Sequence, residues 1–265
     1  MTRLRLTKHH ALGNDFLVLV DPDGRHALDA DLARRLCDRH RGVGADGLLR
    51  AGPGVDGADV TMEVRNADGG VAETSGNGIR CLAQAVVEAG VVPGPHLRVG
   101  TAAGLRRLTL TPGEAPGAAT VEVDMGPATL GEDKEAVPPG ERAKAVDMGN
   151  PHVVVLGPRP DGSDLAALAA KVVAGHVQGV NVELVSVEPG GDELTMRVWE
   201  RGVGETLACG TGACAAAAAA HHWGLVGPRV VVHQPGGDVQ VELGAHSVTL
   251  TGPVQHVARV EVDLT

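Results

Sequence analysis

The chain has 265 residues, a formal net charge of −10, 43% hydrophobic residues and 1% aromatic residues. This length fits one large domain or two ordinary ones, and the negative charge argues against nucleic acid or a membrane as a partner. No apolar run is long enough to span a bilayer, and four cysteines do not make a disulfide framework. These features predict a globular cytoplasmic protein with reduced thiols.

The first half of the chain alternates between strand and helix patterns. Apolar spacing predicts a helix over residues 29–39, capped by Asp29 or Asp31. A second helix is predicted over residues 76–88, with Gly90 as its stop. The strands predicted for this half cover residues 4–10, 17–21, 47–51 and 60–65, and a hairpin follows over 97–111.

The second half has the same character. The Pro- and Gly-rich segment 111–117 is the predicted linker between the halves. A central helix is predicted to start at Gly210, and its six consecutive alanines, 215–220, allow a surrounding sheet to approach closely. The other predicted elements are a strand over 120–125, a loop-rich stretch, a strand over 152–156, a helix over 164–174 and strands over 181–187 and 194–199.

Motifs of the first half recur in the second half in the same order. Ser75-Gly76-Asn77-Gly78 recurs 134 positions later as Cys209-Gly210-Thr211-Gly212. The other recurring pairs are 61–66 with 195–200, 13–19 with 149–155, and more faintly 43–46 with 178–181. The repetition predicts two copies of one unit that face each other across a shared cleft.

The repeat predicts an α/β (α+β) fold with two pseudo-symmetric halves. The N-terminal half is expected to contain residues 1–115 and a C-terminal strand at about 257–265, and the C-terminal half residues 116–256. Val121–Asp124 and Val260–Asp263 are similar in sequence. We therefore expect the first to cross forward into the second half and the last to cross back, with the active site in the cleft between the halves.

Cys209 is predicted to stand at the head of a helix, after a Gly-rich loop. Unpaired backbone N–H groups and the positive end of the helix dipole meet there, a setting expected to lower the thiol pKa and to seat a carboxylate. Ser75 has the matching place on the first central helix. Two facing helix heads can hold one carboxylate from both sides, while an α-carbon between them loses a proton to one side and regains one from the other.

Nothing in the sequence indicates pyridoxal phosphate, a nucleotide or a metal. The Gly-x-Gly motifs lack a dinucleotide-binding fingerprint, and no cysteine–histidine spacing matches a zinc site. The adjacent histidine pairs, His9-His10 and His221-His222, are expected to be surface or core residues.

The chain resembles the diaminopimelate epimerase family in six motifs that follow in family order. That resemblance implies two α/β halves, each a mixed or antiparallel sheet wrapped around a central helix. It implies a cofactor-independent isomerase that interconverts LL- and meso-diaminopimelate in lysine and cell-wall synthesis, commonly as a homodimer, with a small amino acid as its partner. The motifs are Gly13–Phe16, Asn66–Gly69, Ser75–Cys81, Gly149–His152, Asn181–Glu183 and Glu200–Gly212.

The resemblance also implies roles for individual residues. Cys209 matches one of the family's two catalytic cysteines, and His152 and Glu200 match polar groups beside the catalytic pair. The donors to the substrate α-carboxylate match Gly76, Asn77, Gly210 and Thr211. The residues that hold the rest of the substrate match Asn14, Asn66, Asn150, Asn181, Glu200 and Arg201.

The sequence departs from the family pattern at the other catalytic cysteine, where it has Ser75. A hydroxyl is much harder to deprotonate than a thiol with a pKa of about 8.5. Cys81 is no substitute, because six helical residues place it roughly 9 Å further along the axis. Gly47 also stands where many relatives carry glutamine.

Three explanations of Ser75 stay open: an engineered substitution, a natural variant that keeps activity through a neighbour or water, and a drift to another substrate. The corresponding alternatives to the family function are a related isomerase or racemase with one effective base, and a non-catalytic ligand-binding protein.

Overall fold

The computed structural model describes residues 2–71, 75–134, 142–157 and 159–264. The chain forms two compact units: unit 1 is Met1–Val123 with Gly252–Thr265, and unit 2 is Asp124–Thr251. The divisions therefore fall after Val123 and Thr251, and not after the predicted residues 115 and 256. Within the described part of the chain, no helix is long and apolar enough to cross a membrane.

Unit 1 is a mixed sheet wrapped around one helix. Parallel pairs join β2 to β3 and β4 to β5, and the other neighbours from β1 to β7 pair antiparallel. Its elements are β1 (Thr2–Ala11), β2 (Asn14–Val20), α1 (Ala30–Cys37), β3 (Gly47–Pro53), β4 (Val60–Asn66), α2 (Gly76–Glu88), β5 (His96–Thr101), β6 (Gly104–Pro112) and β7 (Ala118–Asp124).

Unit 2 repeats this order. Parallel pairs again join β10 to β11 and β12 to β14, with antiparallel β11–β12 and β14–β15 pairs. Its elements are β8 (Thr129–Lys134), β9 (Arg142–Asp147), β10 (Pro151–Leu156), α3 (Leu165–Val173), β11 (Asn181–Val187), β12 (Glu193–Glu200), β13 (Gly204–Thr206), α4 (Gly210–His222), β14 (Arg229–Gln234), β15 (Gly237–Leu243) and the start of β16 (Val248–Leu264).

The two central helices, α2 and α4, are equivalent. Each has 13 residues and packs against the strands of its own unit. All six alanines of the 215–220 run are buried, so small side chains do allow the sheet of unit 2 to close around α4. The predicted fold, two pseudo-symmetric halves with a sheet around a central helix, is confirmed.

The outer helices complete each unit by covering the other face of the sheet. Ala33 and Leu36 of α1 pack with Leu17 and Leu48 of β2 and β3. The side chains of α3 pack in the same way against β10 and β11. Asp29 caps α1 by accepting from Leu32 N–H at 2.7 Å, which settles the choice between Asp29 and Asp31.

One prediction about the connections is wrong. The predicted linker 111–117 lies in the β6–β7 hairpin, where Gly113 N–H donates to Ala118 C=O at 2.8 Å. Val121–Asp124 lies in β7, which pairs with β6 on one side and with β16 on the other, and the unit boundary falls within this strand, after Val123. The predicted return crossing is correct, since β16 pairs with β15 at its start and with β1 from Gln255 to Leu264.

The stretch predicted to be rich in loops contains strands β8 and β9, which pair antiparallel. All six residues of β8 are exposed, so this strand lacks the alternation of apolar and polar residues that identifies a strand from sequence. Neighbouring residues 135–141 lie outside the described part of the chain.

Candidate active site

The two central helices begin with the same cap geometry. Ser75 caps α2 with φ −133° and ψ 110°, and Cys209 caps α4 with φ −132° and ψ 116°. Gly78 N–H donates to Ser75 Oγ at 2.8 Å, and Gly212 N–H donates to Cys209 Sγ at 3.4 Å. The sequence repeat thus places a hydroxyl and a thiol at equivalent positions of equivalent helices.

Each helix head offers backbone donors to an anion. The first intrahelical bonds run from Ile79 N–H to Ser75 C=O and from Ala213 N–H to Cys209 C=O, both 3.0 Å. Helical N–H groups that precede such a bond have no partner within their helix and point at whatever lies beyond its end. The first two residues of the helices are Gly76 and Asn77 in unit 1, and Gly210 and Thr211 in unit 2.

In unit 1, a chain of polar side chains leads to the head of α2. Asn77 Nδ2 donates to Asn14 Oδ1 at 3.2 Å, and Asn14 Nδ2 donates to Asp46 Oδ2 at 2.9 Å. The fully buried Arg80 donates to Asn77 Oδ1 at 2.5 Å. These bonds fix the side chains of Asn14 and Asn77 beside Ser75.

Asp15 anchors this polar chain to the sheet. Arg39 donates to Asp15 Oδ1 at 2.7 Å, and Lys8 Nζ lies 2.9 Å from Asp15 Oδ2. Burial acts to raise the pKa of Asp15, but the hydrogen bonds from Arg39 and Lys8 outweigh it and lower that pKa to about 2. Arg39 also donates to Asp46 at 2.7 Å. Asp46, which accepts the hydrogen bond from Asn14, therefore belongs to the same network.

Gly47 and Asn66 are cross-strand partners at the ends of β3 and β4. A Cβ atom added at Gly47 would lie 2.8 Å from Arg65 C=O and 3.0 Å from Phe16 Cε1. A side chain at position 47 would therefore require the backbone at Arg65 or the ring of Phe16 to shift.

In unit 2, five side chains form one hydrogen-bonded chain that ends at the thiol. His152 Nδ1 lies 2.6 Å from Glu183 Oε1, and His152 Nε2 lies 3.0 Å from Asn150 Oδ1. Asn150 Nδ2 donates to Thr211 Oγ1 at 3.4 Å, and Thr211 Oγ1 lies 3.5 Å from Cys209 Sγ. The chain joins a buried carboxylate to the sulfur through an imidazole, an amide and a hydroxyl.

The expectation that the helix head lowers the pKa of Cys209 is wrong. Burial raises the pKa of this thiol well above its usual value, and the nearby charges of Glu200 and Glu183 raise it further. The hydrogen bonds from Thr211 and Gly212 oppose this rise without cancelling it. Cys209 is therefore a protonated thiol at neutral pH.

The other predicted residues of unit 2 lie at the end of β12 and next to it. Glu200 Oε1 accepts the hydroxyl of Thr206 at 2.5 Å. Asn181 Oδ1 accepts Arg201 N–H at 2.9 Å, and Asn181 Nδ2 donates to Pro151 C=O at 3.0 Å. The amide of Asn181 therefore shapes the β12–β13 turn in addition to any contact with a ligand.

The surroundings of the two caps differ sharply despite the repeat. An added Cβ at Gly212 would lie 2.7 Å from Glu183 Oε1, whereas one at Gly78 would lie 3.4 Å from Leu49 Cδ2. Phe16 and Leu49 occupy the places on β2 and β3 that His152 and Glu183 occupy on β10 and β11. Phe16 pairs with Gly47 and Val18 with Leu49, as His152 pairs with Asn181 and Val154 with Glu183. The thiol thus has a buried histidine and carboxylate beside it, where the hydroxyl has apolar side chains.

Two residues of this site are absent from the prediction. Glu183 is completely buried, and its Oε2 has no hydrogen-bond partner among the described residues. The sequence signal for it is a single carboxylate flanked by Val182, Leu184 and Val185 in a strand rich in aliphatic residues. Gln234 Oε1 accepts Cys209 N–H at 2.8 Å, and nothing in the sequence near Gln234 indicates this contact.

The fold has close counterparts among solved structures. A probable proline racemase from Agrobacterium radiobacter K84 superimposes with a TM-score of 0.79 at 19% identity, over 99% of this chain and 93% of the other. The chain therefore has a fold that is also found in this class of racemase-like proteins.

Sequence comparison gives the particular family. The model of the diaminopimelate epimerase family matches residues 6–131 and 144–257. The chain is 40% identical to the diaminopimelate epimerase of Corynebacterium glutamicum over 97% of both chains. It is 41% identical to that of Mycolicibacterium paratuberculosis, over 98% of this chain and 97% of the other. The chain belongs to the diaminopimelate epimerase family, and it is an isomerase.

Proposed function

We propose that this protein interconverts LL- and meso-diaminopimelate by proton transfer at the α-carbon, with Cys209 as one proton-transfer group and Ser75 in the place of the other. Family membership supports the reaction and the substrate. The observation that carries the proposal is the pair of matched caps, Ser75 on α2 and Cys209 on α4, with nearly identical backbone angles. In this proposal, one of these groups removes the α-proton and the other supplies a proton in its place.

The proposed donors to the α-carboxylate of the substrate are the backbone N–H groups at the helix heads, those of Gly76, Asn77, Gly210 and Thr211. Such donors stabilise the negative charge that develops on the carboxylate as the α-proton leaves. The same groups set the position of the α-carbon relative to the caps. The proposed contacts for the rest of the substrate are Asn14, Asn66, Asn150, Asn181, Glu200 and Arg201.

The thiol of Cys209 serves as the proton donor in its resting state. Burial keeps it protonated at neutral pH, so it can deliver a proton to the carbanion without prior activation. The resulting thiolate is held by Gly212 N–H and Thr211, the groups that already contact the sulfur. His152 and Glu183 position Asn150 and Thr211 in this chain.

Ser75 is the weaker partner. Its hydroxyl is engaged as the acceptor of Gly78 N–H and needs a base to become a nucleophile or proton acceptor. We propose that proton transfer on this side runs through the hydroxyl to a water or a substrate group, and that this step limits the rate.

The test follows LL-diaminopimelate in deuterium oxide by ¹H NMR. We expect the protein to exchange the α-proton and to form the meso isomer, Cys209→Ala to lose both, and Cys214→Ala to retain both. Cys214 is the matched control, because it is a second buried cysteine on α4. Full inversion by Cys209→Ala would contradict the assigned role of the thiol.

A second function is favoured by one observation, the apolar surroundings of Ser75. With Leu49 and Phe16 in place of a carboxylate and a histidine, the protein would act as an isomerase with one effective base. Such an enzyme would introduce deuterium into one stereoisomer of its substrate much faster than into the other. Binding of diaminopimelate in a calorimeter without any exchange would instead indicate a non-catalytic ligand-binding protein.

The remaining features of the proposal follow from family resemblance and composition. We propose a cytoplasmic homodimer that works in lysine biosynthesis and does not use pyridoxal phosphate. The proposed catalytic groups are a thiol and a hydroxyl, and none of the proposed site residues is a lysine that could form a Schiff base with that cofactor. All four cysteines are free, as expected in a reducing compartment.

A further inference from the structure

At the C-terminal end of α2, three potential metal ligands from three different elements come together. His9 of β1, His256 of β16 and Glu88 of α2 each offer a ligand atom, and these atoms all lie within 4.8 Å of one another. Glu88 is 13 residues from Ser75, so the cluster is roughly 20 Å along the helix axis from the cap. The cluster is separate from the candidate active site.

The tautomer of His9 is determined by its neighbours. Gln84 Nε2 donates to Gly117 C=O at 2.7 Å, so Gln84 Oε1 is an acceptor and the Nδ1 of His9, 2.9 Å away, must be the donor. The lone pair is then on Nε2. A histidine held through one ring nitrogen by a fixed acceptor, with the other nitrogen free, is the arrangement found in metal-binding histidines.

His9 Nε2 itself is buried and lacks a partner. The residue has no exposed surface, and this atom makes no hydrogen bond among the described residues. A buried lone pair without a donor is costly. A bound cation would give this buried lone pair a partner.

His256 is brought to this point by an irregularity in the sheet. The β1–β16 register shifts between Lys8 and His9, which pair with Ala258 and His256, so Val257 is an extra residue in β16. The shift places His9 and His256 directly opposite each other, with ring centroids 4.7 Å apart. Glu88 Oε2 lies 2.6 Å from His256 Nδ1.

We propose that His9, His256 and Glu88 bind a divalent transition-metal ion, with zinc as the preferred ion. Two imidazoles and one carboxylate are a zinc ligand set, and zinc accepts water as a fourth ligand. Zinc–nitrogen bonds of about 2.0–2.1 Å bring ligand atoms roughly 3.4 Å apart. The partly exposed side chains of Glu88 and His256 can rotate to reach this spacing and leave an entry path from solvent.

The bound ion would join the first strand, the last strand and the central helix of unit 1. Gln84 is the positioning residue, because it holds the His9 ring with Nε2 directed at the ion. This inference does not depend on the proposed epimerase activity, because its test measures metal binding and not turnover.

The test uses the full-length protein after treatment with a chelator, titrated with zinc chloride in a calorimeter and heated with and without zinc. We expect one site per chain, and a melting temperature that rises by roughly 5–10 °C when free zinc is 100-fold above its dissociation constant. His256→Ala should abolish both effects. Gln84→Leu should weaken binding by about 10- to 100-fold while Co²⁺ still gives the absorption of a histidine-bound ion.

The matched controls are His10→Ala and His233→Ala. His10 is the neighbour of His9, and His233 is a half-buried histidine that already contacts the carboxylates of Asp238 and Glu193 at 2.8 and 3.0 Å. Both variants should bind zinc like the parent protein. No binding by the parent protein, or binding that survives His256→Ala and disappears in His233→Ala, would overturn the proposal.

Discussion

Replacing Ser75 with cysteine should change activity and stability in opposite directions. At the equivalent cap of α4, the sulfur accepts Gly212 N–H at 3.4 Å, whereas Ser75 Oγ accepts Gly78 N–H at 2.8 Å. The longer and weaker bond should cost about 1 kcal/mol of helix-cap stability, which lowers the melting temperature by about 2–4 °C. The cap angles of the two helices agree within 6°, so the thiol fits without a backbone change.

The rate should rise in the same variant. A thiol loses its proton far more readily than a hydroxyl, so we expect Ser75→Cys to speed inversion of LL-diaminopimelate at least tenfold. Ser75→Ala is the control: it loses the cap to a similar extent and gains no rate. The measurements are α-proton exchange by NMR and thermal unfolding. A variant that is slower than the parent protein, although folded, would refute the assignment of Ser75 to the second proton-transfer position.

Three further predictions concern buried groups. Glu183→Leu should destabilise the protein by about 3 kcal/mol or more in denaturant unfolding, because it leaves His152 without its buried partner. Adding His152→Phe gives the two positions the residue types of Phe16 and Leu49 in unit 1. The double variant should recover most of the lost stability but not the activity. Gly212→Ala should lower both activity and melting temperature, because the added Cβ would lie 2.7 Å from Glu183 Oε1. The control is Gly162→Ala, where an added Cβ has no atom within 4 Å and should change neither quantity. Asp15 has its pKa lowered from 3.8 to about 2, so its charge stabilises the fold above pH 4 and this contribution is lost as pH falls to 2. Asp15→Asn should therefore cost about 2 kcal/mol in unfolding at pH 7 and much less at pH 2; an equal cost at both pH values would contradict the assignment.

The central helices were predictable because their signals are local. A capping residue, Gly-rich first turn and apolar run define α2, whose observed range of residues 76–88 equals the predicted one. The repeat extended the same reasoning to α4, which begins at the predicted Gly210. Such local signals predict the helices well because the residues that carry the signal are the residues that form the helix and its cap.

Other features depend on contacts that are distant in sequence. The polar strand β8 exists because it pairs with β9, and no pattern in its own residues shows it. The raised pKa of Cys209 results from burial and from the charges of Glu200 and Glu183 on two other strands. The helix dipole considered alone predicts a lowered pKa, which is the wrong direction. The contact of Gln234 with Cys209 N–H, 25 residues apart, is of the same kind.

The path of the last strand has a consequence for synthesis of the chain. The first strand, β1, pairs with β16 from Thr2↔Leu264 to His10↔Gln255, so its edge stays open until residues 255–264 have been added. At about 5–20 residues per second, a ribosome needs roughly 10–50 s to make the residues that lie between the two strands. During that time β1 presents unpaired backbone groups that can join another strand. Unit 1 thus begins to emerge before unit 2 and is completed after it, and a nascent chain stopped before Gly252 cannot finish it.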